Sequence, residues 1–242
     1  MSTCFYLAAF LLEKQWSLKS LHREIVLSST YQQISSELDV ASSVPDQLLT
    51  SHSTRSAGPV PTAVDPENRL YWRMNRQRLE FEPLRDSILA VAERLDETMG
   101  GRAVNLTVPP FAPRRAVYGF IDRQDLPNLF RAFDFASPDQ SQAERPRTTV
   151  PQQALFLMNS PFVIEQAKAL AGRNEVANSA DRSAKTQALY RILFQRDPSA
   201  EESQVADQFI TASEQESPNE SFTPWQRYAQ LLLMSNEFAF FD

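Results

Sequence analysis

The sequence predicts a mainly α fold: an irregular helical domain with long ordered loops and at most one or two short strands. Apolar residues recur at three- and four-residue spacing through most of the chain, which is typical of helices with one buried face. Capping residues and prolines stand where these segments begin. Residues 102–147 lack such a period and are broken by prolines. With 242 residues, 42% of them hydrophobic, the chain is long enough to bury a core.

Composition divides the chain into three predicted regions. Residues 1–34 are predicted to form an N-terminal helical segment, interpreted as the truncated edge of a longer protein. Residues 35–64 are rich in serine and proline and predict a linker or a disordered loop. Residues 65–242 are predicted to form the main helical domain.

The first half of the chain contains several separate signals for helix starts and ends. The sequence predicts a helix over residues 3–14 and a second helix capped by Ser17. Asp65-Pro66-Glu67 predicts another helix start, because aspartate caps helices and proline suits their first position. Pro83 either kinks this helix or begins a new one. Gly100-Gly101 is predicted to end it.

The irregular middle and the segment after it carry further predictions. Residues 116–121 predict a strand, residues 126–135 a short helix, and residues 136–147 a loop. Thr149 and Gln152 fit a capping box ahead of a helix that is apolar nearly all round and therefore predicted to be buried.

The C-terminal third is predicted to be helical throughout. Pro161 begins a helix that Gly172 ends, and another helix covers residues 180–195. Ser199 with Glu202 predicts a capping box. Thr223-Pro224-Trp225 is predicted to begin a last, continuous helix.

Charge and composition exclude several function classes. The net charge of −6 argues against nucleic acid as a partner. Cys4 is the single cysteine and there are two histidines, so the sequence predicts no metal site and no cofactor. Residues 1–12 are apolar but too short to cross a bilayer, and they lack the basic start and cleavage site of a signal peptide. We therefore predict no membrane insertion.

Arginine is the residue type that points to a binding function. Of the 24 basic residues, 20 are arginine and four are lysine, and seven arginines lie between residues 102 and 147. A guanidinium binds carboxylate, sulfate or phosphate through two parallel hydrogen bonds. Alternatively, the arginines pair with nearby acidic side chains and hold loops in place. The predicted ligand-binding residues are Arg114, Arg115, Tyr118, Arg123, Phe133, Arg145, Arg147 and Thr148.

A catalytic alternative depends on paired carboxylates. Asp122, Asp134 and Glu144 are candidates for the acid and base of a glycoside-cleaving enzyme. The sequence contains no nucleophile elbow, phosphate-binding loop, zinc-protease motif or dinucleotide fingerprint. Whether the chain is an enzyme is therefore left open, with the balance against it.

Eight motifs, in this order, resemble a known family. They are WSLKSLHREIVLSSTYQQ (16–33), DPENRLYWRMNRQRLEFEPLRD (65–86), MGG (99–101), RRAVYGFIDR (114–123), FDFASPD (133–139), RTTVPQQALFLMNSPFV (147–163), QRDPSAEE (195–202) and LLMSNEFAFFD (232–242). Together they are similar to the C-terminal domain of unknown function 1553 of large planctomycete surface or secreted proteins, over nearly the whole chain.

The resemblance implies partners and a location. In that family the domain usually follows a second domain of unknown function, and often a planctomycete-type cytochrome c segment. Upstream domains of the same or a related polypeptide are therefore expected partners, and a periplasmic or extracellular location is expected. The family is linked to complex, often sulfated, polysaccharides, so an anionic glycan is an expected ligand. The resemblance does not imply electron transfer by this chain, because the chain has no haem-binding cysteines.

Three functions remain open from the sequence. The favoured one is a noncatalytic accessory module that binds a partner domain or an anionic polysaccharide through arginines. The second is a carbohydrate-active enzyme that uses paired carboxylates. The third is a structural fragment that depends on an upstream domain.

Overall fold

The structure is a computed structural model that describes residues 3–32, 61–216 and 222–241. Most of these residues are helical. Their only sheet has two strands of two residues each, β1 (Gln77–Arg78) and β2 (Phe240–Phe241). The predicted mainly α fold is thus confirmed. The chain falls into two compact units, residues 1–77 and 78–241. The predicted linker lies outside the described residues except at 61–64, and the predicted boundary at residue 65 stays a prediction.

The first unit contains three described helices, α1 (Thr3–Glu13), α2 (Leu18–Val26) and α3 (Pro61–Val64). The hydroxyl of Tyr6 in α1 donates to Glu24 Oε1 in α2 at 2.9 Å. The backbone N–H of Ser20 donates to Ser17 Oγ at 3.3 Å, which confirms Ser17 as the N-cap of α2. None of the residues of α1 is buried.

The predicted helix beginning at Asp65 is wrong, because the chain forms a turn there and the next helix begins at Phe81. The Asp65 carboxylate accepts the N–H of Leu70 at 2.7 Å, and its carbonyl accepts the indole N–H of Trp72 at 2.8 Å. The buried side chain of Asn68 donates to the backbone carbonyl five residues later. Asp and Asn side chains compete in this way with helical backbone bonds.

The second unit contains the remaining helices. They are α4 (Phe81–Val91), α5 (Asn128–Ala132), α6 (Pro151–Asn159), α7 (Pro161–Ala171), α8 (Asn174–Ala177), α9 (Arg182–Phe194), α10 (Ala200–Glu216), α11 (Pro224–Leu233) and α12 (Asn236–Ala239). Helices α7 and α11 pack along each other, and α4, α6, α9 and α10 contact this pair. The core lies between them, with Leu84, Val163, Leu189 and Leu233 fully buried.

Helix α4 begins and ends at different positions from those predicted for a helix running from Asp65 to Gly100. Pro83 lies in the first turn, where its missing N–H has no intrahelical partner to lose, so it marks a new helix and not a kink. The helix ends in a Schellman motif, in which Arg94 N donates to Leu89 O at 2.9 Å and Glu93 has a φ of +55°. Gly100-Gly101 therefore does not end it.

The predicted strand over residues 116–121 is also wrong. Ala116–Tyr118 form a 3-10 helix, and pairing is limited to an isolated bridge between Val104 and Gly119. The Ala116 N–H donates to Asp86 Oδ1 at 2.7 Å, which removes this donor from any strand ladder. Gly119 lies so close to the Leu106 side chain that a Cβ there would overlap it.

The start of α6 differs by one residue from the predicted capping box. The N-cap is Val150, whose N–H donates to Gln153 Oε1 at 3.2 Å, so Gln153 and not Gln152 supplies the reciprocal bond. The predicted burial of the whole helix is wrong as well. Leu157 is 3% exposed, but Leu155 and Met158 are 52% and 51% exposed.

Several predicted helix starts and ends are confirmed. Ser199 and Glu202 form the predicted capping box, with bonds of 2.7 and 3.2 Å. Thr223 caps α11, and Gly172 caps the end of α7. The last helix, however, is not continuous, because Ser235 caps a separate α12.

A buried arginine joins α4 to the irregular segment. Arg85 is 1% exposed. Its Nη1 donates to Arg114 O at 2.9 Å and its Nη2 donates to Ala112 O. Its guanidinium lies 5.1 Å from the ring centroid of Phe162. Burial lowers the pKa of Arg85, while the nearby Asp86 opposes this shift. A side chain of helix α4 thus donates hydrogen bonds to backbone carbonyls that are not paired within a helix or a sheet.

A second network joins α9, α10 and α12. Arg196 binds Glu202 at 2.6 Å and Glu237 at 2.7 Å. The hydrogen bonds from Arg196 lower the pKa of Glu202 from 4.5 to about 2. All three side chains are 32–44% exposed, so solvent screens part of the interaction.

We predict that Arg85→Ala lowers the free energy of unfolding by about 3 kcal/mol, because it leaves two partly buried carbonyls unpaired and opens a cavity. Arg94→Ala is the matched control. Its ion pair with Glu165 is 47% exposed on both sides, and its loss should cost less than about 1 kcal/mol. Urea denaturation of both variants measures the difference. Equal losses would contradict the structural role of Arg85.

We predict that Glu202→Gln lowers the free energy of unfolding by about 1 kcal/mol at pH 7. The pKa of Glu202 is depressed in the folded state, so its contribution is present above about pH 4.5 and is lost as pH falls towards 2. Glu201→Gln, one residue earlier in the first turn of α10, is the control for helix-dipole effects. Thermal melts between pH 2 and 7 test this, and a difference between the two variants that is independent of pH would refute it.

Candidate functional site

The arginine-rich middle of the chain borders an open cleft, here called the arginine cleft. It has a volume of about 350 Å³ and lies in the second unit. Its lining residues are Arg123, Leu126, Arg131, Asp134, Phe135, Ser137, Pro138, Asp139, Gln142 and Pro146. Two arginine side chains, which can bind an anionic group, thus line the cleft together with an aromatic ring, a hydroxyl and two carboxylates.

The end of α5 positions one wall of the cleft. Asp134 has a φ of +56°, which aspartate tolerates better than most residues. Phe135 N donates to Phe130 O at 3.0 Å, which completes a Schellman motif. The rings of Phe130 and Phe135 meet edge to face at 5.2 Å, the apolar contact that accompanies this motif. The motif therefore aims Asp134 and Phe135 towards the cleft and leaves Arg131 on the last turn of α5.

The carboxylate of Asp134 is held by Thr148. The Thr148 N–H donates to Asp134 Oδ2 at 2.7 Å, and its hydroxyl lies 2.9 Å from both carboxylate oxygens. Buried Gln153 donates to Thr148 O at 3.1 Å and to Ala132 O at 2.8 Å. Thr148 thus positions a wall of the cleft.

Arg131 and Arg123 are the exposed cations of the cleft. The guanidinium of Arg123 donates to Pro138 O at 3.0 Å. The guanidinium of Arg131 makes no hydrogen bond or ion pair with any residue that the structure describes. Both arginine side chains are exposed and line the same cleft.

A shallow depression adjoins the cleft and shares Gln142 and Pro146 with it. Glu144, Arg145 and Arg147 complete its lining. Arg145 is committed elsewhere, since its Nη1 lies 2.8 Å from Glu80 Oε2 and 2.9 Å from Glu82 Oε1.

The other predicted binding residues near residue 114 hold a loop. Arg114 donates to Thr98 O at 2.8 Å and also to Gly100 O. Its guanidinium lies 4.2 Å from the ring centroid of Tyr118, whose hydroxyl accepts the N–H of Gly100. Arg115 is more open, with 53% of its side chain exposed and a distant 3.9 Å contact to Asp86.

Phe133, a predicted stacking residue, lies in the core. It is 3% exposed and packs against Phe81 and Phe156 at centroid distances of 5.5 and 5.6 Å. The guanidinium of Arg78 lies 5.4 Å from its ring centroid. Its ring has no open face for a ligand in this arrangement.

The three candidate catalytic carboxylates lie in different surroundings. Asp122 Oδ1 accepts the N–H of Gln124 at 2.9 Å in a turn. Asp134 lines the cleft but is bonded to Thr148, and Glu144 lines the adjoining depression.

Sequence reasoning placed Arg131 in the arginine-rich stretch but not among the binding residues, and it gave no role to Arg85. Nothing in the neighbouring sequence distinguishes either arginine, because burial and the lack of a partner depend on the rest of the fold.

Groups of metal-binding side chains and membrane-spanning helices are two further features that bear on function. Among the described residues, no cluster of three or more His, Cys, Asp or Glu side chains could hold a metal ion. In the same part of the chain, no helix combines the length and apolarity needed to cross a membrane.

Residues 5–210 match PSD1, a protein family of unknown function (DUF1553). The chain belongs to this family. The match contains every lining residue of the arginine cleft and seven of the eight motifs, and it confirms the family resemblance. Comparison of the chain with curated proteins and with solved structures gave no match.

Proposed function

We propose that the chain is a noncatalytic binding module of a larger polypeptide and that its arginine cleft holds an anionic group, such as a sulfate of a polysaccharide. One observation carries this proposal. Arg131 lines the cleft and its guanidinium has no partner among the described residues, and Arg123 lines the same cleft. An arginine that is not needed to hold the chain keeps its paired donors for a ligand.

Two carboxylates share the cleft with the two arginines. Both oxygens of Asp134 accept bonds from Thr148, whereas Asp139 is exposed and opposes an anion, so the arginines must outweigh it. Ser137 adds a hydroxyl to the same wall. A sulfate can accept hydrogen bonds from both guanidinium groups and from this hydroxyl.

The family resemblance supports the wider setting of this proposal. It suggests upstream domains as partners, a periplasmic or extracellular location and a sulfated polysaccharide as ligand. The carbohydrate-active enzyme remains an alternative, but the separate surroundings of Asp122, Asp134 and Glu144 do not favour it.

A specific observation favours the third function, a structural part that packs on another domain. Helix α1 carries one charged residue, Glu13, and none of its residues is buried. Phe5 is 74% exposed, Leu12 is 60% exposed, and Trp16 just after the helix is 70% exposed. A helix that is apolar on all sides is normally covered by other protein. We infer that α1 lies against another domain of the polypeptide.

We predict that Arg123→Ala/Arg131→Ala weakens the binding of dextran sulfate about tenfold, because two charged donors are lost from one site. Calorimetry with dextran sulfate, and with uncharged dextran as the ligand control, measures this. Affinity of the unaltered chain should also fall as salt is added.

Arg94→Ala/Arg191→Ala is the matched protein control, because it removes the same charge from two exposed arginines outside the cleft. An equal loss of affinity in this control, or no binding of dextran sulfate by the unaltered chain, would rule out the cleft as the site.

For α1, we predict that Phe5→Gln/Leu12→Gln changes the free energy of unfolding by less than about 0.5 kcal/mol, because both side chains are exposed. Leu189→Ala, a fully buried control, should lower it by about 3 kcal/mol. The glutamine variant should also bind less of a dye that reports exposed apolar surface. A large loss of stability in the glutamine variant would show that α1 already packs within the chain, and the docking proposal would fail.

A further inference from the structure

A second cavity of the second unit lies between α9, α10 and α11. Its volume is about 410 Å³, within the usual range for small-molecule sites, and it shares no lining residue with the arginine cleft. Partly buried Trp225 contributes accessible apolar surface to it, whereas Ile210 is fully buried. A flat aromatic ring suits the apolar face of a ring-shaped ligand.

The polar groups of this pocket are mainly hydrogen-bond acceptors. Asp181 uses Oδ1 to cap α9, accepting Ala184 N at 2.7 Å, and Asp207 Oδ1 accepts from Arg182 Nη1 at 3.2 Å. The second oxygen of each carboxylate makes no hydrogen bond with a described residue. The Ser203 hydroxyl donates to Ser199 O at 2.8 Å, so its oxygen can still accept. A ligand that brings several donors therefore fits the pocket.

Charge in the pocket disfavours both simple anions and simple cations. An anion would face the carboxylates of Asp181 and Asp207. A cation would meet Arg182, which lines the pocket, and Lys185, whose ammonium lies 5.5 Å from the centroid of the Trp225 ring. A neutral ligand avoids both repulsions.

We propose that this pocket binds a neutral sugar residue. The apolar C–H face of the sugar packs on the ring of Trp225. Its hydroxyl groups donate to the open oxygens of Asp181 and Asp207, and the hydroxyl of Ser183 exchanges hydrogen bonds with them. Hydroxyl groups both donate and accept, so one ring satisfies this set without a net charge. The proposal does not depend on the arginine cleft, which takes a charged group.

The test is titration of the whole chain with three neutral disaccharides, maltose, cellobiose and lactose. It is followed by the indole N–H signal of Trp225 in ¹H–¹⁵N spectra, assigned with Trp225→Phe. We expect saturable shifts with at least one of them and a Kd on the order of 1 mM. Asp207→Asn should weaken binding about tenfold, and Ser183→Phe, at an exposed position on the pocket wall, should abolish it by filling the pocket.

Two controls separate the pocket from other effects. Gln208→Phe places the same ring on an exposed position of α10 that does not line the pocket, and Arg94→Ala removes an exposed cation that lines neither the pocket nor the arginine cleft. Both should bind the disaccharide as the unaltered chain does, and a cooperative melt shows that each variant folds. The proposal is overturned if none of the disaccharides shifts the Trp225 signal or if binding survives Ser183→Phe. Failure here leaves the dextran sulfate experiment unaffected, and the converse also holds.

Discussion

The contact between Arg85 and the backbone of the irregular segment is the interaction on which the second unit depends. Residues 102–147 contain little regular structure, so their carbonyls and amides need partners from outside. Arg85, buried in α4, donates to the carbonyls of Ala112 and Arg114. Its neighbour Asp86 accepts the amide of Ala116. Two adjacent side chains of α4 thus supply two hydrogen-bond donors and one acceptor. They hold a segment that has almost no strand pairing of its own against the core of the second unit.

The same guanidinium chemistry recurs along the segment with different outcomes. Arg114 donates to carbonyls of the loop at residues 98–102, and Arg145 binds two glutamates near the start of α4. Arg131 has no such acceptor within reach among the described residues. Arginine content alone therefore does not define a binding site. The proposed site is the part of the surface where the fold leaves a guanidinium without an acceptor among the described residues.

The outcome of each local prediction follows from the range of the interactions involved. The caps at Ser199 and Thr223 were predictable, because both partners lie within four residues. The start of α6 shifts by one residue because Gln153 also reaches the carbonyl of Ala132, 21 residues away. Asp65 carries a good helix-capping signal, yet its side chain closes a turn. The strand predicted at residues 116–121 fails because a helix 30 residues earlier binds its first amide.

The sequence by itself determined the mainly α class, most helix starts in the C-terminal third, the family and the concentration of arginine between residues 102 and 147. These features depend on composition and on neighbours within one or two helical turns. Only the tertiary structure decided which arginines bind acceptors within the chain. The carbonyl partners of Arg85 lie 27 and 29 residues away, and the glutamates bound by Arg145 lie 63 and 65 residues away. A guanidinium looks the same in the sequence whether or not folding brings an acceptor to it.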